Sequence, residues 1–103
     1  MIFEKHEVPF NENEAFAIEL LMSKIAGRSW VSPRIENNTF IIECTPGDKH
    51  TAYEIFKKDE GTWVIVYHRG HYVIRKTEWN MYKAGDFMEM LRFLVEQKDV
   101  TLD

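Results

Sequence analysis

The stretch Thr51-Ala-Tyr-Glu-Ile-Phe-Lys-Lys-Asp-Glu-Gly-Thr-Trp-Val-Ile-Val-Tyr-His-Arg-Gly-His-Tyr-Val-Ile-Arg-Lys-Thr-Glu-Trp79 decides the fold. Aromatic and β-branched residues alternate through it with period two, and the alternation breaks at Asp59-Glu60-Gly61 and at Arg69-Gly70. Such alternation sends successive side chains to opposite faces of a strand, and Gly-containing breaks are hairpin turns. Three antiparallel strands follow. With a three-residue and then a two-residue turn, Lys57 opposes Trp63, Ile55 opposes Ile65 and Tyr53 opposes Tyr67. Across the next pair, Tyr67 opposes Tyr72 and Ile65 opposes Ile74. One face is then Tyr53, Ile55, Trp63, Ile65, Tyr67, Tyr72 and Ile74, apolar enough to be the core. The other is Glu54, Phe56, Val64, Val66, His68, His71, Val73 and Arg75, aliphatic in the middle and charged at its edges.

Upstream of the meander, Asn11 and Glu14 have capping-box spacing, and Phe16, Ala17, Leu20, Leu21 and Ile25 recur at helical spacing up to Gly27. Glu12, Glu19 and Ser23 fall on the other side of that helix, and Gly27 is placed to end it in a left-handed conformation. Residues 28–36, anchored by Trp30 and Ile35, are a strand candidate that Pro33 either interrupts or confines to an edge. Asn37-Asn38 has type I′ hairpin chemistry and leads into a strand over residues 39–45, with Phe40, Ile42 and Cys44 on one side. Pro46-Gly47-Asp48 is a turn. After the meander, Asp86 and Glu89 repeat the capping-box spacing, and Phe87, Met90, Leu91, Leu94 and Val95 make an apolar stripe. The tail beyond Lys98 is expected to fray. The expected fold is α+β: an N-terminal helix, a four- to five-stranded antiparallel meander and a C-terminal helix, with both helices on one sheet face.

A chain of 103 residues fits a single domain, residues 1–103, and a hydrophobic fraction of 45% supplies a core. The lone Cys44 suits a reducing compartment, and charge interrupts the N-terminal residues by Glu4, so a cytoplasmic protein without a membrane span is expected. Net charge is −4, with five acids against two bases in residues 1–27, the same in residues 84–103, and nine bases against seven acids between them. Acidic ends disfavour general nucleic-acid binding and suit a basic protein partner such as a toxin or nuclease.

No catalytic residues are assigned. Cys44 lies in a hydrophobic alternation, and Ser23, Ser29 and Ser32 lack a nucleophile-elbow context. His68 and His71 flank a turn, but His6, His50 and Cys44 offer no motif spacing around them, so no metal and no cofactor are expected. The bases Lys57, Lys58, Arg69, Arg75 and Lys76 interleave with Tyr53, Tyr67 and Tyr72, which suggests a nucleic-acid-binding module as a secondary reading. Strand-end protection against edge pairing accounts for the same residues.

The residues Tyr53, Ile55, Gly61, Trp63, Ile65, Tyr67, Arg69 and Gly70, with a closing helix over residues 87–95, resemble the meander-and-helix pattern of small bacterial immunity proteins of polymorphic-toxin systems. That resemblance implies a non-enzymatic protein that binds and blocks one toxin. Phage-encoded inhibitors of host defence nucleases look alike at this level. The surface expected to bind the partner is Glu54, Phe56, His68, Arg69, His71 and Arg75, an aliphatic centre within a charged rim. The rival surface is the acidic helix faces, Glu12, Glu14 and Glu19 on one helix and Glu89, Glu96 and Asp99 on the other. A free sheet face or edge can also pair with its own copy, giving a homodimer.

Overall fold

Asn11 opens the first helix as its spacing predicts: its side chain accepts from the Glu14 amide at 2.8 Å while the Glu14 carboxylate accepts from the Asn11 amide at 2.8 Å. In the computed structural model, which describes residues 3–45 and 49–102, this helix is α1, Glu12–Ile25. The strands are β1 (Val31–Glu36), β2 (Thr39–Cys44), β3 (Thr51–Asp59), β4 (Thr62–Arg69) and β5 (Tyr72–Asn80), followed by α2 (Asp86–Val95) and α3 (Lys98–Thr101). The strands form one antiparallel sheet in the order β1-β2-β3-β4-β5. The Pro46-Gly47-Asp48 turn lies outside the described residues.

Ile18, Leu21 and Ile25 of α1 and Met90, Leu91 and Leu94 of α2 share one core cluster with Phe40, Ile42, Tyr53, Ile55, Trp63, Ile65 and Tyr67, so the helices cover one face of the sheet. Phe10 stacks on Trp63 with ring centroids 5.2 Å apart, and Phe87 meets the same indole at 5.0 Å. Asn37 and Asn38 take φ of 51° and 59°, the left-handed pair that a type I′ hairpin needs. No helix is long and apolar enough to cross a membrane among the described residues.

The β3–β4 register is the expected one: Tyr53 opposes Tyr67, Ile55 opposes Ile65 and Lys57 opposes Trp63. The turn, however, is Glu60-Gly61, closed by Asp59 opposite Thr62, and Lys58 is the extra residue of a bulge. The β4–β5 register differs from expectation. The turn falls one residue later, at Gly70-His71, with Gly70 at φ 58°, so Arg69 opposes Tyr72. A second bulge leaves Ile74 unpaired, after which Tyr67 opposes Arg75 and Ile65 opposes Thr77. From Arg75 onward the combined shift moves β5 by an odd number of positions and exchanges its faces. Arg75 therefore lies on the helix-covered side, its guanidinium 5.2 Å from the Tyr67 ring centroid. Tyr72 and Ile74 are exposed rather than core.

The helix ends differ from what their sequence suggests. α1 ends without a left-handed residue: Ala26 is right-handed, and the Arg28 amide donates to the Ile25 carbonyl at 3.1 Å. At α2 the Asp86 carboxylate accepts from the Tyr82 and Lys83 amides rather than closing a capping box with Glu89. Through Leu102 the tail is ordered against the sheet rather than frayed, with α3 over Lys98–Thr101. Val100 is fully buried, and its carbonyl accepts from Arg28 Nη1 at 2.7 Å and Trp30 Nε1 at 3.2 Å. The Tyr67 hydroxyl donates to Asp99 at 2.6 Å, fixing α3 to the sheet.

Candidate functional site

The sheet face away from the helices was the expected interface, and the N-terminal segment covers part of it. His6 stacks on Phe56, ring centroids 3.5 Å apart and planes 7° from parallel, and its Nε2 meets Glu54 Oε2 at 2.8 Å. The other Glu54 oxygen meets His68 Nε2 at 3.0 Å, and Phe3 sets its edge against the His68 ring at 5.4 Å. The backbone holds the segment as well: the Asn38 amide side chain donates to the His6 carbonyl at 2.8 Å, and the His6 amide donates to the Asn37 carbonyl at 3.5 Å. As a carboxylate Glu54 has acceptor sites only, so both imidazoles present an Nε2 proton to it. Burial of such a group is tolerable because each of its oxygens has a donor.

Of the six residues expected to meet a partner, Glu54 and His68 are buried in this clamp and Phe56 is half-buried under His6. Arg69 and His71 are exposed at the β4–β5 turn, and Arg75 sits on the opposite face for the reason given by the bulge. What stays open on this face is a cleft of about 370 Å³ lined by Glu4, Glu54, Phe56, Val66, His68, His71, Val73 and Lys76. No group of three or more metal-ligating side chains has metal-binding geometry among the described residues. Cys44 is buried, and burial first, with the Asp99 charge second, pushes its thiol from 9.0 up to about 12. A thiol held that high is a small hydrophobe in this environment rather than a nucleophile.

The bases of the meander do not form a stripe. The Lys57 side chain is fully buried and donates to Glu14 at 3.0 Å and Glu60 at 2.7 Å; burial lowers its pKa, but these bonds outweigh that and raise it. Lys58 pairs with Glu78 at 3.0 Å. Arg75 and Lys76 point to opposite faces. The acidic helix faces are also partly engaged. Glu14 serves Lys57 and the α1 cap, Asp99 accepts from Tyr67, and Glu96 lies 3.9 Å from Arg92, leaving Glu12, Glu19 and Glu89 exposed.

A second surface was not anticipated. Phe16 and Leu20 belong to the helically spaced apolar residues of α1, yet they are 63% and 53% exposed, and Met88 is 59% exposed. They flank a groove between α1 and α2 of about 600 Å³, with Leu21, Ile25 and Leu91 along its floor. Three side chains with charge line it: Lys24, Arg28 and Arg92, all cationic. Phe16, Leu20 and Lys24 follow one another at i, i+4 spacing on α1, as Met88 and Arg92 do on α2. The signal was present in the sequence as an apolar stripe on α1 wider than one sheet-facing line requires.

The fold and its surfaces define an α+β domain built as helix, antiparallel meander and closing helices. Comparison of the chain with protein-family models, with curated proteins and with solved structures finds no match.

Proposed function

We propose that this chain is a non-enzymatic protein-binding domain that inhibits its partner by seating one of the partner's amphipathic helices in the α1–α2 groove. The observation that carries the reading is the exposed apolar set of Phe16 and Leu20 on α1 and Met88 on α2, beside a groove whose charged lining among the described residues is cationic. Exposed apolar clusters of this kind mark interaction sites, and helix-in-groove recognition uses apolar anchors at i and i+4. Lys24, Arg28 and Arg92 select for carboxylates on the flanks of the bound helix. Inhibition by occlusion is the mode implied by the resemblance to toxin-immunity proteins, and it serves equally an inhibitor of a host defence nuclease. In either case a globally basic partner would present a locally acidic helix.

Two synthetic helical peptides test this. Both carry leucines along one face; one carries glutamates on the other face and its counterpart carries lysines. The acidic peptide is expected to bind with a Kd of about 1–100 μM, the lysine peptide at least about tenfold more weakly. Leu20→Glu should abolish binding of the acidic peptide, and Lys24→Glu should weaken it several-fold. Equal affinity for the two peptides, or binding untouched by Leu20→Glu, would overturn the assignment.

A further inference from the structure

The two edges of the sheet are treated differently. β1 is six residues long, carries Pro33 and lies beside α1. β5 is nine residues long, and although its inner backbone groups pair with β4, no described residue forms a backbone hydrogen bond with its outer row. Tyr72, Val73 and Ile74 at its start are 75%, 60% and 50% exposed. An open edge of β-prone residues is a template for another strand.

We propose that β5 pairs antiparallel with β5 of a second copy, centred on Thr77, so that the sheets of two copies run on into one. The charge pattern selects both the occupant and the register. Two-fold pairing that keeps both helix layers on one side of the joined sheet sets one residue of the strand opposite its own copy. Centring on Arg75, Lys76 or Glu78 would place a charge against itself, which destabilises a strand pair. Centring on Ile74 or Trp79 would pair at most five of the nine strand residues. Thr77 at the centre opposes Lys76 to Glu78 of the second copy twice over, and brings Arg75 opposite Trp79 on the helix-covered side. Glu78 is available for this. Its link to Lys58 joins side chains 60% and 53% exposed, a surface pair of small energetic weight.

Sedimentation or light scattering on the full chain, from micromolar to near-millimolar concentration, should show a shift from the 12.3 kDa monomer to twice that mass. Lys76→Glu or Glu78→Lys alone sets like charges face to face and should raise the dimer dissociation constant about tenfold or more. The double reversal restores the pairing and should restore the dimer. Thr77→Cys should form an intermolecular disulfide on mild oxidation, since directly opposed strand residues bring their Cβ atoms within bridging distance and Cys44 is buried. A chain that stays monomeric with no Thr77→Cys cross-link overturns the proposal. So does a dimer indifferent to both single reversals, or one that the double reversal fails to restore.

Discussion

Burial raises the pKa of several individual groups in the same direction, and together they give the fold a definite pH dependence. Cys44 is held at about 12, by burial and then by Asp99; Tyr53 is raised by burial and then by Asp99, and Tyr67 by burial and then by its bond to Asp99. Lys57 is raised by its two carboxylate partners against the effect of burial. In every case the folded chain keeps a proton that the unfolded chain releases sooner. The associated stability is fully present below the unfolded values and is lost as pH rises through the folded ones. The earliest of these losses begins at the thiol's unfolded value of 9.0. The melting temperature is therefore expected to fall progressively above pH 9, and Cys44→Ala should flatten the slope between pH 9 and 10 even where it lowers the melting temperature at pH 7. An unchanged slope in Cys44→Ala would show that the thiol contributes nothing to the titration. The burial of Cys44 was legible in its alternation with Phe40 and Ile42. That of Lys57 was not, because one of its two carboxylate partners, Glu14, lies 43 positions away in the chain.

Among the elements, those fixed by local chemistry could be read and those fixed by distant contacts could not. Asn11 with Glu14 gave the start of α1, and Asn37-Asn38 gave the first hairpin, because cap and turn preferences act within four residues. The β3–β4 pairing was readable for the same reason. The β4–β5 pairing departed from expectation twice, at the turn, which falls at Gly70-His71, and at the bulge residue Ile74, which no turn preference marks. The segment ahead of α1 shows no periodicity at all, yet it acts as a strap over the sheet through His6, which reaches Glu54 across 48 positions. Its contribution can be measured. His6→Ala removes the bond to buried Glu54 and the stacked contact with Phe56, and is expected to cost about 2–3 kcal/mol in urea unfolding. Lys5→Ala, on an exposed neighbour, should stay within about 0.5 kcal/mol of the unmodified chain. If His6→Ala matches Lys5→Ala, the strap does not stabilise the sheet.

For the molecule as a whole, net charge does not describe the groove proposed to receive a partner. The overall −4 and the acidic ends pointed to acidic helix faces meeting a basic protein, whereas the apolar groove between those helices is lined by Lys24, Arg28 and Arg92. A local cationic lining can dominate contact because charges beyond roughly 10 Å are screened at moderate salt. The groove and the β5 edge use separate residues on separate layers: Phe16, Leu20, Lys24, Met88 and Arg92 on the helices, and Lys76, Thr77 and Glu78 on the last strand. Changes at sites that share no partner combine additively. Leu20→Glu should therefore remove acidic-peptide binding while leaving the dimer dissociation constant unchanged, and Lys76→Glu should dissociate the dimer while leaving peptide affinity within about twofold. The check is a peptide titration and a sedimentation series on each variant. A Leu20→Glu chain that also loses its dimer would mean that the helix groove, not the strand edge, is where two copies meet, and that the exposed apolar rows of α1 and α2 cover one another.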